Sequence, residues 1–561
     1  MAGKYISCLF EDLGTTGVAV GVFKEREVVL KETFGLANEE QGIPVKTDSV
    51  FHIGSVSKQF TAMCIALLEE KHLDVSRRIS DFFPDLGSHA SEIRVFDLIH
   101  MTNGLPDLYK VSQYIMGLRE SDYLTSTEAY NLLRNLRWLE FEPGKRWAYG
   151  NSGYFLLGRL VEKITGSTLN EFATREIFSP LGMTNTFFRE DNTRLIKNVV
   201  DGYCEYDYLH SKSFRLPSGE SGRLSKALDL MECTGAGQLW STLDDLLIWE
   251  KAFHKKMLGE DPERLSEKII SPAKLNNGNR CDYGYGLFLT KRKGKTVVMH
   301  EGGSLGFNAA IYRIPSESLS VVVLANRNDF LHRMLVKLGI EIYEAIADWV
   351  LGEDSTCLDS KDEGTKPEEL SEDWLEEMKE GDKWFADRKS AQICRLFVEE
   401  GFLKLDMNGE GVHILSPLRG LRFEEMDREF EGEIFRENGE KGLLLTNHSG
   451  AVWFRPFEKR LSKCDLQEYC GRYYCRDIDT GYDLYATERG LLFSNTNAHH
   501  DAMNFEYRPA VKDLFFTYAP PYLNCYFGVE FLRGRDQNVE AFVFRDYDND
   551  GREFLKFARI H

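Results

Sequence analysis

The sequence predicts an α+β fold followed by two small antiparallel β-barrels. Two observations predict the α+β part: β-rich runs stand near both ends of residues 17–351, and the long stretch between them has helical periodicity. This order is typical of one antiparallel sheet flanked by helices, with an all-helical subregion. A third observation predicts the barrels, because short strands alternate with tight turns from about residue 374 onwards.

The first region begins and ends with apolar runs of strand character. Residues 17–22 and 28–30 predict a pair of strands, and residues 320–326 predict a buried strand. A final helix is expected over residues 330–351. Its apolar stripe consists of Leu331, Leu335, Leu338, Ile342, Ile346 and Trp349.

An acidic segment separates this region from the barrels. Residues 353–373 have many acids and no aromatic side chain, which predicts a linker after a catalytic-type domain at 1–352. The first barrel is expected over residues 374–460 and the second over residues 466–561.

Two dipeptides in the first barrel region indicate hairpins. Asn408-Gly409 and Asn438-Gly439 each stand between apolar runs. Asn-Gly is a strong hairpin signal because both central positions of the turn need a positive φ.

The composition excludes several classes of protein. The 561-residue chain has a net charge of −20 and no stripe of Lys and Arg, so no nucleic-acid partner is expected. It has no run of about 20 apolar residues, which predicts no membrane span. Glu11 and Asp12 stand where a signal peptide needs an apolar core, and the cysteines number eleven, an odd count. Both features favour a cytoplasmic protein with reduced thiols. We expect no cofactor and no metal site.

Residues 54–60, GSVSKQF, begin a helix with an apolar face. Ser55 and Lys58 are three apart and therefore share one side of that helix. Unpaired N–H groups at a helix N-terminus favour an oxyanion, and a lysine in a dry cleft has a lowered pKa and can act as a base. An isolated Ser-x-x-Lys pattern is more often an N-cap serine beside a solvated lysine, so the chemistry depends on the rest of the chain.

Three segments in order supply that support. Residues 51–62, 141–166 and 297–315 resemble the nucleophile segment, the Tyr-x-Asn loop and the Lys-Thr-Gly strand of the serine β-lactamase and penicillin-binding-protein superfamily. The resemblance covers most of residues 1–352 and implies a β-lactamase/transpeptidase-like fold and a serine hydrolase.

The resemblance implies a role for each matching residue. Ser55 would be the acylated nucleophile, and Lys58 and Tyr149 would share a proton relay, with the principal base left open between them. Asn151 would orient Lys58 and the acyl side of the substrate. The N–H groups of Ser55 and Gly303 would form an oxyanion hole.

The third motif reads His300-Glu301-Gly302 in place of Lys-Thr-Gly. Alternation along a strand puts His300 and Gly302 on the face of the site and Glu301 on the other face. His300 would lie near Tyr149 and tune its proton. A histidine has an ordinary pKa of about 6.5 and is mostly neutral at cytosolic pH, so it holds a substrate carboxylate less well than lysine does.

A His-x-Gly third motif resembles D-aminopeptidases, related amidases and some esterases. D-aminopeptidases carry two barrels after the catalytic domain and act as dimers, and a loop of their last barrel reads the substrate amine. The resemblance therefore implies a small-molecule or short-peptide substrate and raises a homodimer as an expectation. The candidate loop here, 518–528, contains no acid, which leaves Asp513 or Asp536 as alternatives for pairing with an ammonium group.

Two alternatives remain open. One is an esterase or an acyl-transferring peptide cyclase, which shares the acyl step and differs in substrate or acceptor. The other is a non-catalytic binding protein that retains the fold. Intact Ser55, Lys58 and Tyr149 argue against a mere scaffold, which has no physical need for all three.

Overall fold

The computed structural model describes most of the chain from Ala2 to Ile560. The positions outside this description are 1, 11–13, 117, 119–121, 206–223, 229, 339, 354–369, 371, 380–382, 387–392, 400–401, 408–410, 419–420, 426–429, 438–439, 448–449, 457–462, 488–489, 497–503, 512, 518–527, 546–554 and 561. The described chain divides into two compact units, one with a large open sheet and one with two barrels.

The first unit is built on a six-stranded antiparallel sheet. Its strands are β1 (Val18–Lys24), β2 (Glu27–Phe34), β3 (Phe288–Arg292), β4 (Lys295–Ser304), β5 (Phe307–Ile314) and β6 (Leu319–Ala325). Their order across the sheet is β3-β4-β5-β6-β1-β2, so the two chain ends of the unit meet where β1 pairs with β6. The strands predicted at 17–22, 28–30 and 320–326 are confirmed, as is the antiparallel α+β architecture.

Six helices cover the sheet or shape the site: α1 (Ala2–Leu9), α2 (Ser57–Glu70), α3 (Asn151–Thr165), α4 (Leu243–Lys255), α5 (Phe330–Leu338) and α6 (Ile342–Leu351). The other described helices of the unit are Val95–Ile99, Ser126–Asn135, Leu169–Ala173, Ser179–Leu181 and Pro262–Ile269, with π-helical turns at Lys110–Ile115 and Thr174–Phe178. Short 3-10 turns occupy Gly54–Val56, Ile79–Asp81, Pro84–Leu86, Ser88–Ala90 and Pro315–Glu317. Minor strands are Leu36–Asn38, Ile43–Pro44, Phe51–His52, Phe187–Phe188, Gly202–Glu205, Leu224–Ala227, Leu239–Ser241, Ala273–Lys274 and Arg280–Cys281.

Both faces of the sheet are covered by helices. On one face, alternate residues of β1 such as Val20 pack in a single cluster with side chains of α1, α5 and α6. On the other face lies α4, and a Cβ atom on Gly21 would stand 2.9 Å from the side chains of Leu243 and Leu247. The glycine therefore lets α4 approach the sheet closely, and the two-residue period of the strand separates the two layers.

The prediction of one helix over 330–351 is wrong, because the structure has two helices, α5 and α6, with a break between them. Glu341 precedes α6 with an extended backbone, at φ −60° and ψ 136°. The sequence has a glycine at position 339, which lies outside the described residues, and glycine is unfavourable inside a helix by about 1 kcal/mol relative to alanine. The break also shifts the buried stripe, since Met334 is buried while Leu335 is 37% exposed.

The second unit contains two closed barrels of eight antiparallel strands each. The strands of the first are Lys383–Ala386, Ile393–Glu399, Phe402–Met407, Gly411–Leu418, Arg422–Glu425, Phe430–Glu437, Glu440–Asn447 and Gly450–Pro456. Those of the second are Gly471–Cys475, Thr480–Ala486, Leu491–Asn495, Asn504–Val511, Leu514–Thr517, Gly528–Arg533, Val539–Arg545 and Lys556–Ile560. The helices Glu372–Met378 and Lys463–Leu466 and the 3-10 turn Gln467–Tyr469 complete the described part of this unit.

The pair of barrels predicted from the sequence is confirmed. The strands on either side of Asn408-Gly409 and of Asn438-Gly439 pair as hairpins, and the turn residues themselves lie outside the described positions. Side chains fill the barrels: Trp374 lies in the core of the first, and stacked and edge-on aromatic rings such as Phe493 and Phe542 fill the second.

The predicted domain boundaries stay predictions. Most of the linker predicted at 353–373 lies outside the described residues, and Glu372 and Asp373 at its end already belong to a helix. Within the described part of the chain, no helix has the length and apolar character needed to cross a membrane.

Candidate active site

Ser55 lies in a 3-10 turn that leads directly into α2. The turn spans Gly54–Val56, and the α-helix proper begins at Ser57. Ser55 is partly exposed, whereas its neighbours Gly54 and Val56 are buried. The Ser57 hydroxyl donates to the carbonyl oxygen of Gly54 at 2.5 Å and accepts from the Leu239 amide at 3.2 Å, which ties the turn to the minor strand behind it.

The end of β4 packs against this turn through glycines. Gly54 has a φ of +51°, and a Cβ atom there would lie 2.7 Å from both the nitrogen and the oxygen of Gly303. A Cβ atom on Gly302 would lie 2.0 Å from the carbonyl oxygen of Ile53 and 3.0 Å from the Ser55 nitrogen. Because Gly54 and Gly302 carry no side chains, the amides of Ser55 and Gly303 can share one small region.

Lys58 is the second residue of α2, one turn after Ser55, and it is fully buried. Its Nζ atom lies 2.9 Å from Ser55 Oγ, 2.8 Å from Asn151 Oδ1 and 2.8 Å from the Ala236 carbonyl oxygen. Loss of hydration lowers the pKa of Lys58 to about 7, against the opposing effect of Asp107 and Cys233. Both forms of the amine are thus available near neutral pH.

Asn151 is the first residue of α3, and Asp107 holds it in place. Asp107 Oδ2 accepts hydrogen bonds from the Asn151 backbone N–H and from Asn151 Nδ2, the latter at 3.1 Å. Asp107 is only 6% exposed, and its Oδ1 atom accepts from the Lys110 amide at 3.0 Å. The carboxylate therefore fixes the amide of Asn151 so that Oδ1 faces Lys58.

Tyr149 lies beside Ser55 and Lys58. Lys58 Nζ lies 4.9 Å from the centre of the Tyr149 ring. Loss of hydration raises the pKa of Tyr149 well above its ordinary value, and the neighbouring Ser55 side chain opposes this only in part. The phenol is consequently protonated at neutral pH.

His300 is buried on β4 and is neutral. Its Nδ1 atom donates to the Glu301 carbonyl oxygen, so its Nε2 atom accepts from the Tyr283 hydroxyl at 3.0 Å. Loss of hydration and the nearby charge of Lys58 lower the pKa of His300 to about 3. The rings of His300 and Tyr149 are neighbours, with centroids 6.2 Å apart, but the hydrogen bonds of His300 go to other groups.

The predicted alternation along β4 is seen in the structure. Glu301 points away from His300 and accepts a hydrogen bond from Tyr343 of α6 at 2.6 Å. Burial raises the pKa of the Glu301 carboxyl. Glu301 is accordingly part of the packing between the sheet and α6.

A buried ion pair supports α2 from behind. Arg313 of β5 and Glu250 of α4 form two hydrogen bonds of 2.7 Å, and neither side chain is exposed. Gln59, next to Lys58, accepts from Arg313 at 2.6 Å and from Trp249 at 2.9 Å. Sheet, α4 and α2 are thereby joined at one point. Removal of one partner of such a pair typically costs about 3–5 kcal/mol.

The structure brings together Ser55, Lys58, Tyr149 and Asn151 through direct contacts, and it sets Gly302, Gly303 and His300 beside them on β4. Sequence reasoning missed three contributors: Asp107, Tyr283 and the Ala236 carbonyl oxygen. Nothing in the sequence pairs Asp107 with Asn151. The contact of the Ala236 carbonyl oxygen could not be predicted, because every residue type has a backbone carbonyl.

The expectations for substrate recognition by the second barrel stay open. Of the candidate loop 518–528, all but Gly528 lies outside the described residues. Asp513 accepts from Arg533 at 2.7 Å and from Tyr469 at 2.9 Å, so its charge is already neutralised by a partner. Asp536 binds Asn538 within its own turn. Among the described residues, no group of three or more His, Cys, Asp or Glu could hold a metal ion.

Comparison with known proteins extends these observations. The sequence model of the family described as Beta-lactamase matches residues 4–338. Penicillin-binding protein 4* of Bacillus subtilis (strain 168) is 30% identical over 336 residues, which are 58% of this chain and 72% of that protein. The octameric penicillin-binding protein homologue from Pyrococcus abyssi superposes with a TM-score of 0.53 at 23% identity, over 81% of this chain and 99% of that one, which shows a shared fold.

A longer alignment comes from a D-aminopeptidase of Brucella anthropi. It is 26% identical over 484 residues, which cover 80% of this chain and 84% of that protein. An alignment that spans 80% of the chain cannot be contained in residues 1–352, so it extends into the part that holds the barrels.

The glycines of β4 give the first prediction. Gly302→Ala should lower the free energy of unfolding by about 1–3 kcal/mol, because its Cβ atom would overlap backbone atoms that cannot move aside. Gly303→Ala is the matched control, since a Cβ atom there would meet nothing nearer than Asn308 Nδ2 at 3.8 Å. Denaturant unfolding of both variants measures the difference. Equal stabilities would contradict the close approach of β4 to the turn.

Proposed function

Because the chain belongs to the beta-lactamase family and is a serine hydrolase, we propose that it releases amino acids or small amines from amides through an acyl-enzyme on Ser55. The reaction would be that of a D-aminopeptidase or an amidase. The observation that carries the proposal is the three-way contact of the buried Lys58 amine with Ser55, Asn151 and Ala236.

The geometry of that contact favours Lys58 as the base. Asn151 Oδ1 and the Ala236 carbonyl oxygen can only accept hydrogen bonds, so they take the two hydrogens of a neutral amine. The lone pair of Nζ then faces Ser55 Oγ at 2.9 Å, within reach of the hydroxyl proton. A pKa of about 7 keeps a substantial fraction of Lys58 neutral at cytosolic pH.

The acyl step follows from these positions. As Lys58 accepts the Ser55 proton, Oγ attacks the carbonyl carbon of the amide, and the negative charge develops on the carbonyl oxygen. The N–H groups of Ser55 and Gly303 would stabilise that oxyanion. The C–N bond then breaks, the leaving nitrogen takes a proton, and the acyl group stays on Ser55.

Tyr149 is better suited to give that proton than to remove one. Its raised pKa keeps the phenol protonated, and its ring lies next to Lys58, with Nζ 4.9 Å from the ring centre. Tyr149 would donate to the leaving amine and be reprotonated by the Lys58 ammonium. Water would then attack the acyl-enzyme, with the same groups moving the proton in the reverse direction.

The substrate class rests on His300 and on the barrels. A neutral His300, whose ring nitrogens are engaged by Glu301 and Tyr283, supplies no cation for a substrate carboxylate. This disfavours penicillins and D-Ala-D-Ala peptides. The alignment with a D-aminopeptidase extends beyond the catalytic region into the barrels, which favours amides of amino acids as substrates. A homodimer and a cytoplasmic location stay predictions.

Labelling with a fluorophosphonate tests the proposal. We expect intact-mass and peptide analysis to find one adduct on Ser55 in the wild type and none in Ser55→Ala. A panel of D-amino-acid amides, L-amino-acid amides, short-chain esters and a penicillin should show turnover of amides and poor acylation by the penicillin.

Each outcome separates the alternatives. An unlabelled wild type would remove every enzymatic interpretation and leave a binding protein. Turnover of esters alone would identify an esterase, and product formation only with an added amine acceptor would identify an acyl-transferring peptide cyclase.

Replacement of the base gives a second prediction. Lys58→Ala should slow acylation of Ser55 by at least about 100-fold, because the hydroxyl loses its proton acceptor. Added methylamine should restore part of the rate by entering the space of the missing side chain. Lys163→Ala, an exposed lysine on α3, is the control and should leave the rate unchanged. An unaltered rate in Lys58→Ala would exclude Lys58 from the relay.

A further inference from the structure

We propose that Asp107 is the positioning residue of the site: its carboxylate fixes the orientation of the Asn151 amide and stabilises the Lys58 ammonium formed when Ser55 loses its proton. The inference rests on the proposed function for its catalytic meaning. Its structural basis is the set of hydrogen bonds that Asp107 makes to the start of α3 and to the turn that follows it in the chain.

Asp107 carries a buried charge whose partners are all in place. Asp107 is only 6% exposed, and a carboxylate that is buried away from water needs hydrogen bonds. It accepts hydrogen bonds from the backbone N–H of Asn151, the side-chain amide of Asn151 and the backbone N–H of Lys110. Asp107 is therefore held rigidly, and it holds the start of α3 in return.

The same carboxylate selects the orientation of the Asn151 amide. An amide side chain presents an oxygen on one side and an NH₂ group on the other. A carboxylate oxygen accepts hydrogen bonds and does not donate them, so Asp107 favours the orientation with Nδ2 towards itself. Asn151 Oδ1 then faces Lys58 Nζ, at 2.8 Å. The opposite orientation would direct an N–H group at the amine and expel it from its place beside Ser55.

Asp107 also acts on Lys58 through its charge. Burial lowers the pKa of Lys58, and Asp107 raises it again in part. When Lys58 takes the Ser55 proton, its new positive charge lies in the field of that carboxylate. In a nucleophile–base–orienting group triad, the third residue orients and stabilises the base. Asp107 thus acts on Lys58 in the same way. The groups that face Lys58 are Tyr149, whose raised pKa keeps it neutral, the ring of Tyr154, the neutral His300, the thiol of Cys233 and the carboxylate of Asp107.

The test compares Asp107→Asn with a matched variant in the full-length protein. Asp107→Asn should slow phosphonylation of Ser55 by a fluorophosphonate about 10- to 100-fold, because the base is no longer held in place. Asp245→Asn is the control, since Asp245 is also buried and also accepts from a backbone amide, that of Asn185, and from the Thr186 hydroxyl. These partners take no part in the site, so the rate of the control should stay within about threefold of the wild type.

A double variant separates positioning from general damage to the fold. Because Asp107 acts through Asn151 as well as through its charge, the loss of rate in Asp107→Asn/Asn151→Ala should be smaller than the product of the two single losses. Losses that multiply would overturn the proposal, because they would mean that Asp107 and Asn151 act independently.

A spectroscopic titration reads the electrostatic part without any reference to catalysis. With lysine labelled at ¹³Cε, the Lys58 signal is assigned by its loss in Lys58→Arg, and its titration midpoint is compared in the wild type and in Asp107→Asn. The midpoint should fall by about one pH unit in the variant, since a favourable charge is removed.

An unchanged or raised midpoint would overturn the proposal even if the rate falls. A lowered midpoint in a protein whose Ser55 takes no label would contradict the proposed function and leave the effect of Asp107 on Lys58 established.

Discussion

The structure depends on one amine kept away from water. Lys58 stands in the first turn of a helix in which every residue from Ser57 to Leu68 is buried, and a charge in such a place is costly unless it is paired. The burial is tolerated because the pKa of Lys58 is lowered and because three separate parts of the chain contact its amine: Ser55, Asn151 and Ala236. The same contacts that make the burial tolerable also aim the amine at a hydroxyl.

The surrounding architecture keeps that arrangement in register. The glycines at 54 and 302 let β4 press against the turn of Ser55, so backbone amides and hydroxyl share one space. Behind α2, the Arg313–Glu250 pair reaches Gln59, the residue next to Lys58, and joins the helix to the sheet. The position of the nucleophile is thus fixed from the front by backbone and from behind by a buried ion pair.

Much of the fold could be predicted from local patterns, because strands with two buried faces read as apolar runs and Asn-Gly turns mark hairpins. The prediction of a single helix over 330–351 failed because it followed a continuous apolar stripe and gave too little importance to the glycine at position 339. In the site, the three-residue spacing was enough to predict the contact between Ser55 and Lys58. Tyr149, Asn151 and His300 were predicted only from the resemblance to the superfamily. Asp107 and Ala236 could not be found, because their contacts join distant segments and one of them is a backbone oxygen.

Proton transfer from Ser55 to the buried amine of Lys58 is the step on which the mechanism turns. Its most direct test is the pH dependence of the rate at which a fluorophosphonate phosphonylates Ser55 in the wild type. The neutral amine is the active form, so the rate should rise with pH through a midpoint near 7, and this limb should be absent in Lys58→Ala. A midpoint near the ordinary lysine value of about 10.4, or the same limb without Lys58, would contradict the account.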